Sequence, residues 1–285
     1  MMNRFLIRTN VNKDEGLLLT NQIKEYLESK GKEVILELLN QSKIKDDNSV
    51  ERFTEETAPD LVLVLGGDGT MLRAARDFMH LDVSLLGVNL GSLGYLTEVE
   101  SDKAIAALEK VLAGDYEIEE RMMLEGEMFV DGKKVGSARA LNDIAIIKQN
   151  AFDSIDFNIF VNGEFLKDYN GDGVIFSTPT GSTGYNLSVG GPIVEPSASL
   201  IVMSLVSPHT LMSRSIILSD TDEVRVELKE SKSTRTQEAM AMADAHSRFN
   251  MNSGDSFVLR KSEQKIKIVK LNNLSFLEVL HRKLS

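Results

Sequence analysis

The chain has 285 residues, 42% apolar and 26% charged, enough for two domains and a substantial core. A formal charge of −11 with no long basic run argues against nucleic-acid binding through a cationic face. The absence of cysteine excludes disulfides, thiolate metal sites and thiol catalysis.

Taken in order, Phe5 to Arg8 reads as a short first strand, followed by a polar turn. Apolar residues at Leu17, Leu18, Ile23, Tyr26 and Leu27 predict a helix between Lys13 and Lys30, stopped by Gly31. Val34–Ile35–Leu36 predicts a second strand, and the polar stretch from Gln41 to Pro59 a loop with at most a short helix. Leu61–Val62–Leu63–Val64–Leu65 is an unbroken apolar run, the habit of a strand buried on both faces of a parallel sheet. It ends in Gly66–Gly67–Asp68–Gly69–Thr70, and good helix formers resume at Met71. A strand that turns through glycines into a helix presents backbone N–H groups at the positive end of that helix, which suits phosphate. A carboxylate in such a loop repels phosphate unless it accepts a proton or holds a metal ion, so Asp68 is a candidate for chemistry as well as for a helix cap.

Ser84 to Val88 predicts another buried strand, and Asn89–Leu90–Gly91–Ser92–Leu93–Gly94–Tyr95–Leu96–Thr97–Glu98 follows at its carboxyl end, where open α/β sheets place ligands. Ser101 to Ala113 predicts an amphipathic helix closed by Gly114. From Tyr116 the pattern changes to short alternations separated by turn signals, among them Asp131–Gly132 and Asn162–Gly163, which is hairpin grammar. It persists to about Val269, and Ser275 to Leu284 then reads as a short helix with Phe276, Leu277, Leu280 and Leu284 on one side.

Within the β region, Asn142–Asp143 opens an apolar strand and can bind ligand amides or hydroxyls, or serve only as a turn. The stretch from Asp172 to Pro192 holds the hydroxyls of Ser177, Thr178, Thr180, Ser182, Thr183 and Ser188 among glycines. It reads as a poor strand and a poor core but a good set of small donors for a sugar and a pyrophosphate. The expected fold is an α/β N-terminal domain over 1–114, Rossmann-like with a mostly parallel sheet. A mostly β domain follows over 115–270, and a C-terminal helix over 271–285 returns to the first domain.

Together these segments resemble one family, the ATP-dependent NAD kinases. The Gly66–Thr70 loop is shared with the related diacylglycerol and sphingolipid kinases. The Asn89–Glu98 segment, Asn142–Asp143, the Asp172–Pro192 stretch and Ser207–Pro208–His209–Thr210–Leu211 with Arg214 are similar to further motifs of the NAD kinases. The resemblance implies transfer of the γ-phosphate of ATP to the 2′-hydroxyl of the adenosine ribose of NAD, giving NADP, with Asp68 as general base. It implies Gly66, Gly67, Gly69 and Thr70 as the phosphate-binding loop. Arg73, Tyr95, Asn142, Asp143, Asp172, Thr183, Gly184, Tyr185 and Ser188, with Gly69, become NAD contacts.

A divalent ion, Mg or Mn, is expected to arrive with ATP, with no metal held tightly by the protein. A homodimer or homotetramer is implied, without nucleic-acid or membrane partners. The first residues carry too short an apolar core for a signal peptide, and no stretch approaches the roughly 20 apolar residues of a membrane span, so a cytoplasmic protein is expected. Three positions depart from the family pattern: Asp143 where many members have Glu, Asn170 where some have a basic residue, and Asp244–Ala245–His246 in place of Asp–Gly–Gln. A lipid kinase of the diacylglycerol type and a non-catalytic dinucleotide sensor are the alternatives.

Overall fold

The first strand, β1 (Arg4–Asn10), is buried along almost its whole length. A computed structural model of the chain describes residues 2–40, 53–92, 94–210, 214–230, 237–271 and 275–284. The chain divides into two compact units, one of residues 1–120 with 266–285, the other of residues 121–265.

In the first unit β1 is followed by α1 (Leu18–Ser29), β2 (Glu33–Leu39), β3 (Leu61–Gly66), α2 (Asp68–Phe78), β4 (Ser84–Asn89), the two-residue β5 (Val99–Glu100) and α3 (Ala104–Ala113). The helix expected from Lys13 starts later than predicted. Gly16 and Leu17 adopt left-handed φ of 65° and 56°, which interrupts it before Leu18. Strands β4, β3, β1 and β2 lie side by side in that order, all parallel. Every residue of β3 is buried, as an all-apolar strand between two helical layers should be. Because β1 leads outward to β2 on one side while β3 leads to β4 on the other, the strand order reverses between β1 and β3. Open α/β sheets form their ligand crevice at such a point, outside the carboxyl ends of the strands.

A buried arginine ties this unit together. Arg8, fully buried in β1, pairs with Asp77 of α2 at 2.5 Å and with Glu37 of β2 at 2.7 Å, and its guanidinium lies 5.2 Å from the centre of the Phe78 ring. A buried arginine is tolerated only with such partners, and these tie α2 to the sheet beneath it. Of the polar stretch 41–59, residues 41–52 lie outside the described residues.

The second unit is built from β6 (Glu117–Val130), β7 (Lys133–Ala140), β8 (Asp143–Lys148), β9 (Ile155–Val161), β10 (Glu164–Gly171), β11 (Gly173–Ser177) and the short helix α4 (Tyr185–Ser188). There follow β12 (Leu200–Val206), β13 (Ile216–Ser219), β14 (Val224–Leu228), β15 (Glu238–Ala243), β16 (Ser247–Asn252) and β17 (Ser256–Lys270), whose last residues return to the first unit. Strands β13, β12, β11, β8, β15 and β16 form a six-stranded antiparallel sheet. Strands β10, β9, β14 and β17 lie side by side in a second sheet, in which β6 pairs with β17 and β7 with β6. One apolar cluster, including Ile144, Phe157, Val174, Phe176, Met203 and Phe257, fills the interior of the unit. The predicted hairpins are present: Asp131–Gly132 and Asn162–Gly163 have φ of 49° and 72°, and 52° and 82°. Positive φ at both central residues matches the twist of paired strands, and Gly takes it without strain. The last helix, α5 (Phe276–Leu284), belongs to the first unit.

The hydroxyl-rich stretch after Asp172 is not the poor core that its composition suggests. Gly173–Ser177 is a central, wholly buried strand of the six-stranded sheet, and Thr178, Thr180 and Ser182 are buried beyond it. Their hydroxyls are satisfied internally. Thr178 Oγ1 donates to the Leu141 carbonyl at 2.6 Å and Ser182 Oγ to the Val194 carbonyl at 3.1 Å. Buried hydroxyls with such partners cost little, so the composition did not forbid a strand.

Candidate active site

In the first unit the carboxyl ends of β1 and β3 open onto a pocket of about 240 Å³ lined by Asn10, Lys13, Leu39, Gly67, Asp68, Gly69, Thr70 and Arg73. Gly67 caps α2 with extended backbone and no capping side chain, so the first-turn amides face the pocket unclaimed by a side chain. Gly66 lets the loop close on itself, because a Cβ there would collide with the Thr70 side chain. Lys13, on the turn after β1, brings its ammonium within 3.1 Å of where a Gly67 Cβ would stand and 3.8 Å of where a Gly91 Cβ would stand. Among the described residues, neither the Lys13 ammonium nor the Arg73 guanidinium has a side-chain hydrogen bond or ion pair. Two unneutralised cations and a helix N-terminus around one pocket make an anion site. Lys13 was missed in the sequence, where it is one lysine in a polar turn.

Asp68 is the acid of this pocket, and its orientation is fixed. Oδ2 accepts the backbone N–H of Tyr95 at 2.8 Å and Oδ1 that of Leu96 at 2.9 Å. The two glycine-rich motifs therefore meet at this carboxylate. Gly94 is required there: a Cβ on it would occupy the place of Asp68 Oδ1. Tyr95 is half-buried against Phe276 of α5, ring centres 6.4 Å apart, with Lys283 Nζ 4.2 Å from the ring centre. Burial, and then the charge of Asp68, raise its phenol above the usual range. Leu93 lies outside the described residues.

In the second unit Asn142, Asp143 and Gly184 come together. A Cβ on Gly184 would lie 3.4 Å from Asn142 Nδ2 and 3.8 Å from Asp143 Oδ2, and a Cβ on Gly181 would overlap the Asn142 backbone. The Asn142 carbonyl accepts the Thr178 N–H at 2.9 Å, which docks the two motifs together. Beneath them lies a residue that the sequence left in doubt. The Asp244 carboxylate accepts the backbone N–H groups of Leu141 and Asn142 at 2.8 Å each and of Asp143 at 3.2 Å. Burial, and then the charge of Asp244, push the Asp143 carboxyl up to about 7. Thr183 and Gly184 are half-buried, while Tyr185 and Ser188 are exposed.

Asp172 is not brought into this group. Strand β11 separates it from Thr178, a distance of roughly 20 Å at the usual strand rise, and its neighbour is Lys148 at 2.7 Å. The hydrogen bond from Lys148 is the main cause holding the Asp172 carboxyl below its ordinary range. At the departing position 170, the Asn side chain donates to Ser154 and Asp156, both at 3.0 Å. The segment after Ser207 runs out of the described residues at Leu211.

The motif models of one family match both units: that of the ATP-NAD kinase N-terminal domain over residues 5–116, and that of the ATP-NAD kinase C-terminal domain over residues 141–271. The chain belongs to the ATP-NAD kinase family. Among curated members of the family, an NAD kinase of Lachnoclostridium phytofermentans is 40% identical over 286 residues, which is 99% of each chain. One of Lachnospira eligens is 39% identical over 294 residues, covering 99% of this chain and all of its own. The fold is also that of solved kinases. An NAD kinase from Archaeoglobus fulgidus in complex with ATP superposes with a TM-score of 0.75 at 24% identity, covering 99% of this chain and 98% of that one. Yeast NADH kinase complexed with NADH gives 0.78 at 22% identity, covering 100% and 88%. The resemblance carried by the motifs therefore holds, and the lipid-kinase and sensor alternatives are not favoured.

Proposed function

We propose that the chain transfers the γ-phosphate of ATP to the 2′-hydroxyl of the adenosine ribose of NAD, with Asp68 as the general base. The observation that supports this most is the meeting of an oriented carboxylate, an uncapped helix N-terminus and two cations without a side-chain partner among the described residues in one pocket. Gly66, Gly67, Gly69 and Thr70 hold the triphosphate, with Lys13 and Arg73 neutralising it. The 2′-oxygen attacks the γ-phosphorus, the bond from that phosphorus to the β–γ bridging oxygen breaks, and ADP leaves. The proton of the 2′-hydroxyl passes to Asp68. A carboxylate is a weak base towards an alcohol, so the transfer gains importance as the P–O bond forms. Holding donor and acceptor in line and neutralising charge carry most of the acceleration.

The divalent ion, Mg or Mn, is part of the ATP substrate: among the described residues Asp68 is the only carboxylate lining the pocket, and its oxygens already accept two N–H groups. Asn142 and Asp143, with Gly69, Thr183, Gly184, Tyr185 and Ser188, contact NAD, and Tyr95 offers a ring to its adenine. Asp172 is left to a part of the dinucleotide remote from Asn142.

A cytoplasmic enzyme follows from this reading, and no described helix is long and apolar enough to cross a membrane. A homodimer or homotetramer follows too; the edge strand β10 exposes Phe165 and Leu166, surface that a second copy could cover. The test is an endpoint assay with ATP, Mg²⁺ and NAD, NADP being read by an NADP-specific dehydrogenase. Asp68→Asn is expected to lose at least a hundredfold in turnover with NAD binding kept; loss of less than about tenfold would refute the general-base role. Binding of NAD without turnover by the wild type would favour the sensor.

A further inference from the structure

The proposed base does not orient itself. Each oxygen of Asp68 takes one N–H, from Tyr95 and from Leu96, and these amides lie on a segment with no regular structure before the two-residue strand β5. The segment is held from the far end of the chain. Glu98, whose side chain is 4% exposed, pairs with Lys270 and accepts the Leu271 N–H at 3.0 Å. A buried carboxylate is stable in that place only while those partners remain. Phe276 and Lys283 of α5 press on the Tyr95 ring from the same terminal segment. The Glu100–Arg282 pair, at 3.9 Å and half-exposed on both sides, contributes little.

We propose that Glu98 is a positioning residue for Asp68, acting through its grip on residues 270–271, so that the C-terminal segment fixes the two amides that aim the base. The inference rests on Asp68 being the base. Glu98 touches neither the pocket nor Asp68 itself, and its effect is expected in kcat with the KM for ATP unchanged.

The experiment compares Glu98→Gln, Lys270→Met, their combination and Lys270→Arg with the wild type. It measures kcat, the KM values for ATP and NAD, and the number of NAD sites per chain by calorimetry. Glu98→Gln and Lys270→Met are each expected to lower kcat by about 10- to 100-fold, the scale of a base misplaced by about an ångström. The KM for ATP and the site count should stay within twofold. The double variant should lose no more than the worse single one, because a single interaction has been removed, and Lys270→Arg should recover kcat. Unchanged kcat per NAD site, a loss that merely tracks the count of intact sites, or multiplying losses in the double variant would overturn the proposal. If Glu98→Gln does not fold, the contrast of Lys270→Met with Lys270→Arg decides, since that lysine is 27% exposed. Asp68→Asn is measured alongside. An active Asp68→Asn would sink the base reading, whereas an inactive one beside a fully active Glu98→Gln would sink this inference only.

Discussion

Asp143 is 8% exposed with the carboxylate of Asp244 beside it, and its carboxyl is raised to about 7 by burial first and by that charge second. Between pH 4 and 7 the folded chain thus holds a proton that the unfolded chain has released. Stability is therefore lost as pH rises through this window, fully so above 7, by a few kcal/mol. Urea midpoints from pH 4 to 8 should fall more steeply for the wild type than for Asp143→Asn; parallel profiles would show that Asp143 does not titrate there. The hairpin tip carrying Asp244 bears its own strain. Ala245 has a φ of 56°, a conformation that costs a side chain about 1 kcal/mol. Ala245→Gly should raise the stability by about that amount in the same denaturation experiment, and no gain would mean the loop relaxes elsewhere. Asp68 was legible because a carboxylate among three glycines after an apolar strand has few other uses. Asp244 was not, because the backbone it supports at Leu141 lies far away in sequence and meets it only when β8 and β15 pair.

Among the elements, β3 and the turn into α2 could be read directly: an all-apolar run, then glycines, then helix formers leave little choice of local structure. Strand β11 and the buried turn after it were misjudged because hydroxyls count as polar in a pattern, while in the fold Ser177 at the end of the strand and Thr178 just beyond it satisfy theirs on backbone carbonyls. Lys13 was invisible for another reason. It reaches Gly67 only because the strand order reverses between β1 and β3, a property of the sheet and not of any window of sequence. Its removal belongs to this scale, since it empties one wall of the anion pocket while leaving every strand and helix in place. Lys13→Met is expected to raise the KM for ATP about tenfold, the worth of one charged contact to phosphate, with the KM for NAD within twofold. Initial rates at varied ATP measure it, and equal shifts in both would move Lys13 out of the phosphate site.

For the whole molecule, the notable fact is that the α/β unit is not one continuous stretch. The chain leaves it at residue 120 and returns at 266, bringing the end of β17 to the edge of β4 and then α5. The composition change near residue 115 gave the expected exit, and a returning helix was expected over 271–285; that the end of β17 comes back with it from 266 was not expected, because a strand carries no mark of which sheet its end will join. A fragment of residues 1–120 lacks the late partner of β4, and is expected to unfold without the cooperativity of the intact chain. Coincident far-UV and fluorescence transitions for that fragment would contradict this.

Gly94 adds something that concerns the history of such chains more than their chemistry. Its missing Cβ is the volume that Asp68 Oδ1 fills, so positions 68 and 94 cannot drift independently. Once a side chain appears at 94 the acid has no seat, and selection on the acid ceases. A relative that keeps aspartate in the first motif but has lost glycine in the second should be read as silent, whatever its first motif suggests.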